Sequence, residues 1–189
     1  MRSSTSCKKI VHGLLYGNIN CKIKAVEYGR VMEPVAKENP DGLIGDDEII
    51  EIKCSYSAKD YLDIFESISD GKINYCTVDK SNGEVKLKKN HDYYFQIQTQ
   101  LHVTKRTLCH LLIFTENWYY SIDIKYCEQF WNKNIQPLLH IFYYECLLPE
   151  LINPQFGKRL LVSDIKDSER IINKQEDKQR IVKKMKTNK

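Results

Sequence analysis

The run Leu108-Cys109-His110-Leu111-Leu112-Ile113-Phe114 constrains this chain most, because it is apolar at nearly every position rather than at alternate ones. A strand with two apolar faces must be covered on both, so it belongs inside a sheet that carries other elements on each side. Trp118 to Ile124 follows across the Thr115-Glu116-Asn117 turn as its partner strand. His91 to Lys105 precedes it as a helix, with Tyr94, Ile97, Gln98, Leu101 and Lys105 at helical spacing. The expected order along the chain is helix, helix, strands, helix, strands, helix, a mixed α/β sandwich without internal repeat. A length of 189 residues, 42% hydrophobic and 29% charged, suits one packed domain.

The remaining elements are read by the same rules. Lys8 to Tyr16 forms a helix that Ser4 or Ser6 can cap, and Ile23 to Lys37 a second one, with Val26, Val31, Val35 and Ala36 near one face. Asn39-Pro40-Asp41-Gly42 is a turn, since Pro presets one backbone angle and Gly accepts positive φ. Leu43-Ile44, the tight turn Gly45-Asp46-Asp47 and Glu48 to Cys54 then make a hairpin, with Ile50 and Ile52 on one face and Glu51 and Lys53 on the other. Lys59 to Ser69 reads as a short amphipathic helix using Leu62, Ile64, Phe65 and Ile68. Tyr75 to Asp79 and Val85 to Lys89 read as a peripheral hairpin, and Phe130 to Leu148 as a long helix that Pro137 kinks or breaks.

Composition excludes several classes. Seven Cys without a CxxC pair leave one thiol over in any disulfide scheme, and are read as reduced. The five His show no zinc spacing. No signal peptide or membrane span is expected, since the most apolar later run, Pro137 to Leu148, is interrupted by His140 and Glu145; the expected compartment is cytoplasm or nucleus. Residues 158–189 hold 11 Lys+Arg against 5 Asp+Glu, a net of +6 in a chain whose total is +4. Residues 154–189 are therefore expected to form a basic, flexible or helical tail beyond a domain spanning 1–153.

The segment from Pro40-Asp41-Gly42 to Glu51-Ile52-Lys53 carries the chemistry. Residues two apart in a strand face the same way, so Asp41, Glu51 and Lys53 gather on one side of the hairpin. Mg²⁺ or Mn²⁺ favours carboxylate and carbonyl oxygens, so Asp41, Glu51 and the Ile52 carbonyl form a candidate metal cup. Lys53 would orient or help deprotonate an attacking water. E-x-K alone is common and ordinarily marks an exposed polar face. Its company here is Glu33, on the helix ahead of the hairpin, and Gln96, Gln98 and Gln100, which alternate and so cannot share one helix face.

Four blocks occur in this order: Arg2-Ser3-Ser4-Thr5-Ser6; Tyr28-Gly29-Arg30-Val31-Met32-Glu33-Pro34; Pro40-Asp41-Gly42-Leu43-Ile44 with Glu51-Ile52-Lys53-Cys54; and Tyr94-Phe95-Gln96-Ile97-Gln98. Together, over residues 2 to 152, they resemble the YqaJ viral recombinase group, relatives of lambda exonuclease in the PD-(D/E)XK superfamily. The resemblance implies a restriction-endonuclease-like mixed sheet flanked by helices. It implies Glu33, Asp41, Glu51 and Lys53 as catalytic residues, with Asp41 and Glu51 on the metal. It also implies Gln98, beside Gln96, on the scissile phosphate, and Arg2 and Ser6 on a 5′ phosphate. The implied activity is metal-dependent exonucleolytic hydrolysis of DNA from duplex ends. DNA would be held through its phosphates, and relatives can close into a homo-oligomeric ring. One departure stands out: seven residues separate Glu33 from Asp41, where the family carries a longer stretch with a core strand and a turn. That allows for a sheet short of one core strand, and leaves two expectations open: an active deoxyribonuclease, or a vestigial module that binds DNA or protein without turnover.

Overall fold

The computed structural model of the chain describes residues 6–17, 27–28, 31–32, 42–156 and 164–187. In chain order its elements are α1 (Lys8–Leu15), β1 (Leu43–Ile44), β2 (Glu48–Cys54), α2 (Ile64–Ser69), β3 (Cys76–Val78), β4 (Val85–Leu87), α3 (Asp92–Thr104), β5 (Leu108–Phe114), β6 (Tyr119–Lys125), α4 (Glu128–Phe130), α5 (Gln136–Phe142), α6 (Leu148–Ile152) and α7 (Glu169–Thr187). They fall into two compact units, Asn20–Asn132 and Met1–Ile19 with Lys133–Lys189.

The first unit is built on a four-stranded mixed sheet of order β1-β2-β5-β6. The doubly apolar β5 is central, parallel to β2 and antiparallel to β6, and its Cys109, Leu111 and Ile113 are wholly buried. Parallel neighbours cannot be joined by a tight turn, so the chain crosses from β2 to β5 through α2, the β3-β4 hairpin and α3. α3 buries Tyr94, Ile97, Gln98 and Leu101, the stripe that its spacing predicts. His91 accepts the Tyr93 N–H at its start. Lys105, at φ 59°, ends it in a left-handed turn, with the Arg106 N–H donating back to the Leu101 carbonyl at 3.1 Å.

Two expected helices differ from their reading. The helix expected over Lys59–Ser69 begins only at Ile64. Asp63 accepts the Glu66 N–H at 2.8 Å and caps it there, leaving Leu62 83% exposed outside the helix. Pro137 does not simply kink one long helix. π-Helical turns at Trp131–Ile135 and Tyr143–Leu147 precede α5 and α6, so Pro137 and Pro149 each fall in the first turn of a new α-helical piece, where a missing N–H breaks no bond. The hairpin of β1 and β2 has the expected turn, but β1 pairs only with Glu48 and Ile49. Residues 33–41, where the strand question arises, lie outside the described residues, as does most of the helix expected over Ile23–Lys37.

The second unit has its own small core of Cys7, Val11, Cys146, Ile165 and Ile171. Asp167 accepts the Cys7 N–H at 2.7 Å and the Ser6 hydroxyl at 3.0 Å, which satisfies the start of α1. No described helix is long and apolar enough to cross a membrane.

Candidate active site

Because side chains alternate along a strand, Glu51 and Lys53 share the β2 face that carries buried Ile49. The register sets them level with Leu111 and Ile113 of β5, on the face that carries the core. A carboxylate and an ammonium are thereby held 14% and 18% exposed, far from the open polar face that E-x-K ordinarily marks. Polar groups so covered need hydrogen-bond partners. Glu51 Oε1 accepts from Lys53 Nζ at 2.6 Å and from Gln96 Nε2 at 2.9 Å, and its Oε2 accepts from Gln100 Nε2 at 2.7 Å. Lys53 Nζ also donates to Gln96 Oε1 at 3.1 Å and lies 4.5 Å from the centre of the Tyr93 ring.

Gln96 and Gln100 are one helical turn apart on α3 and so reach the same carboxylate. Gln98 is placed differently from its expected role on a phosphate. It is wholly buried within the α3 stripe, its Nε2 donating to the Lys125 carbonyl at 2.9 Å and its Oε1 accepting the Cys127 N–H at 2.8 Å. Its amide is used up on backbone, and Gln100, which the blocks do not include, takes the place beside Glu51. The i,i+4 spacing of Gln96 and Gln100 was the available signal.

Of the other expected site residues, Arg2, Glu33 and Asp41 lie outside the described residues. Ser6 belongs to the second unit, where its hydroxyl donates to Asp167. Gly42, which follows Asp41, accepts the Ile50 N–H at 3.1 Å and so ties the chain to β2 one residue before Glu51. Among the described residues no group of three or more His, Cys, Asp or Glu is arranged to hold a metal ion. Beside the Glu51 carboxylate, Gln100 Oε1 is buried and has no hydrogen-bond partner among the described residues, which leaves it as an oxygen that a water or a cation could take. Beside Lys53 a cavity of about 370 Å³ opens among Ser55, Lys72, Tyr75, His91 and Tyr93. The Tyr75 and Ser55 hydroxyls lie 2.7 Å apart and share a hydrogen bond, and burial pushes the Tyr75 phenol well above its usual range, so it stays neutral. Two ammonium groups and several hydroxyls make this a surface for an anionic group.

The sequence matches no protein-family profile and no curated protein. Among solved structures it is similar to LHK-Exo in complex with dAMP, at 21% identity and a TM-score of 0.53, over 76% of this chain and 78% of that one. The likeness is one of fold. The mixed α/β architecture here, a four-stranded mixed sheet flanked by helices, is that of a restriction-endonuclease-like core.

Proposed function

We propose that the chain is a metal-dependent deoxyribonuclease that hydrolyses DNA phosphodiester bonds, acting as an exonuclease on duplex ends. The observation that carries this is the Glu51–Lys53 pair, two residues apart on a half-buried sheet face and braced from α3 by Gln96 and Gln100. The fold shared with LHK-Exo, solved in complex with dAMP, supports the same reading. Glu51 and Asp41, with the Ile52 carbonyl, are the groups that would hold Mg²⁺ or Mn²⁺. When bound, the ion stabilises charge on the phosphate and acidifies a water. Gln96 and Gln100 fix the Glu51 carboxylate so that its oxygens do not rotate away. Lys53 presents its ammonium to the phosphate or to the attacking water, and the face of Tyr93 steadies it. Lys72 and the hydroxyls of the adjoining cavity hold neighbouring phosphates, contacts that do not read bases. Glu33 is the further carboxylate of the proposed site.

One observation favours the vestigial reading: protein donors already engage both Glu51 oxygens. Digestion of a 5′-phosphorylated linear duplex, with Mg²⁺ or with EDTA, separates the two. The nuclease reading expects cutting by the wild type that EDTA abolishes and that Lys53→Ala and Glu51→Gln each reduce by a factor of about 100 or more. Absence of cutting by a protein whose circular dichroism shows it folded would establish the vestigial reading.

A further inference from the structure

The outer edge of β6 faces a groove of about 790 Å³ whose opposite wall is formed by β4, with Thr77 of β3. Residues 84–89 and 120–127 line it without a gap. A wall that includes every residue of a strand, rather than alternate ones, is the strand's hydrogen-bonding edge. The ladder fixes which groups point there. The Tyr126 N–H donates to the Thr107 carbonyl at 2.8 Å and the Thr115 N–H to the Trp118 carbonyl at 2.9 Å, so Tyr120, Ile122 and Ile124 turn their backbone groups toward β5. Ser121, Asp123 and Lys125 therefore turn theirs outward. On the other wall, the Lys88 N–H donates to the Tyr75 carbonyl at 2.9 Å and the Asp79 N–H to the Glu84 carbonyl at 2.8 Å, which leaves Val85, Leu87 and Lys89 facing the groove.

The fold already shows what this edge accepts. Gln98 donates to the Lys125 carbonyl and accepts the Cys127 N–H, bonding two residues apart along the edge as the peptide groups of an added strand would. No other side chain or strand bonds this edge among the described residues. β6 is also seven residues long, free of proline and paired to β5 without a bulge, so Asp123 and Lys125 are the edge protections it carries.

We propose that the groove is a docking site for an extended acidic peptide, which adds to the outer edge of β6 as a strand. An added strand would turn alternate side chains toward Leu87, Tyr94, Ile122 and Ile124, so those should be apolar. The rest would meet the rim. There Lys86 is already paired with Asp79 and Glu84, and Asp123 with His110, whereas Lys88, Lys89 and Lys125 make no ion pair among the described residues. The unmatched charge is positive, so the remaining side chains should be Asp or Glu. A single nucleic-acid strand would need open aromatic faces to stack on. The three rings of the lining are each engaged within the protein, Tyr94 against Phe130, Tyr120 edge-on to Phe65 and Tyr126 against His102, so the groove favours a peptide.

The test uses the full chain and a fluorescent peptide of about eight alternating Glu and Val residues, read by anisotropy. Saturable binding is expected. N-methylation of every second amide of the peptide keeps the side chains and removes edge donors, and should weaken binding by about tenfold or more. Ser121→Pro removes one outward N–H at a pair that makes no bond to β5, and should weaken binding in the same direction. The methylated peptide gives its answer without any change to the protein's folding. Failure of the peptide to bind, or equal binding of the methylated form, overturns the proposal. So does a labelled oligothymidylate that binds where the peptide does not, and is lost in Lys88→Glu and Lys125→Glu; that would make the groove a single-strand track.

Discussion

Each donor to Glu51 can be removed on its own, and the geometry ranks the consequences. Gln100 gives the short bond to Oε2, while Gln96 shares Oε1 with Lys53 and is itself exposed. Gln100→Ala should destabilise the fold by about 2 kcal/mol, the worth of a hydrogen bond to a buried charge, and lower any DNA cutting more than Gln96→Ala does. Urea unfolding of the two variants checks the order, and equal midpoints would refute it. His110 offers a second handle at this scale. Burial lowers the pKa of its imidazolium, and hydrogen bonds to Glu48 at 3.2 Å and Asp123 at 2.7 Å more than reverse that, so it ends above its ordinary value. A pKa raised by folding stabilises the native state below the unfolded value near 6.5, and that contribution fades as pH rises through the folded value. The stability difference between wild type and His110→Gln should accordingly be larger at about pH 5.5 than at about pH 8, as read from paired denaturation curves. Period two made Glu51 and Lys53 legible in the sequence. Gln98 was legible too, because it stands inside the Tyr94, Ile97 and Leu101 stripe, a better guide to its burial than its position in a sequence block.

Elements that start and stop on local chemistry were readable from their own residues: the Gly45-Asp46-Asp47 turn, the Asp79 to Gly83 turn, and α3 between His91 and Lys105. What was not readable is direction. Nothing in the residues of β2 and β5 says that they run parallel, because that follows from the crossover through α3, a property of the assembled sheet. Likewise Leu62 and Phe65 suit an amphipathic face, but the Asp63 cap starts the helix after Leu62, and Phe65 is 46% exposed. α3 is fastened to the sheet partly through Gln98, whose two bonds satisfy the Lys125 carbonyl and the Cys127 N–H beyond β6. Gln98→Leu keeps the volume and removes both bonds, so it should cost about 2–4 kcal/mol and speed hydrogen exchange at the Cys127 amide. A Gln98→Leu protein with unchanged stability but weakened DNA binding would instead give the glutamine the phosphate role implied by its block.

Over the whole chain, the cysteine arithmetic and the charge count led to different depths. Among the described residues Cys7, Cys54, Cys76, Cys109, Cys127 and Cys146 are free thiols, and burial pushes Cys76 and Cys109 up to about 12, out of reach of ready ionisation. The charge count saw only the basic excess of residues 158–189. It could not see that two isoleucines anchor the segment: Ile165 and Ile171 are 1% and 0% exposed in one core with Cys7 and Val11, while Asp167 between them satisfies the start of α1. A tail that was only solvated would tolerate Ile171→Ala without consequence. A tail that supplies part of a core would lose about 2–4 kcal/mol to the cavity. The loss should be local as well as measurable, because α1 is a single eight-residue helix whose buried face is Val11, too short to persist without that packing. Hydrogen exchange across Lys8–Leu15 should therefore accelerate in Ile171→Ala and in Asp167→Ala, while Ile181→Ala, at a position 54% exposed on α7, leaves it unchanged. Equal protection of α1 in all three variants would mean that the N-terminal helix is held by something other than the residues that bury it here.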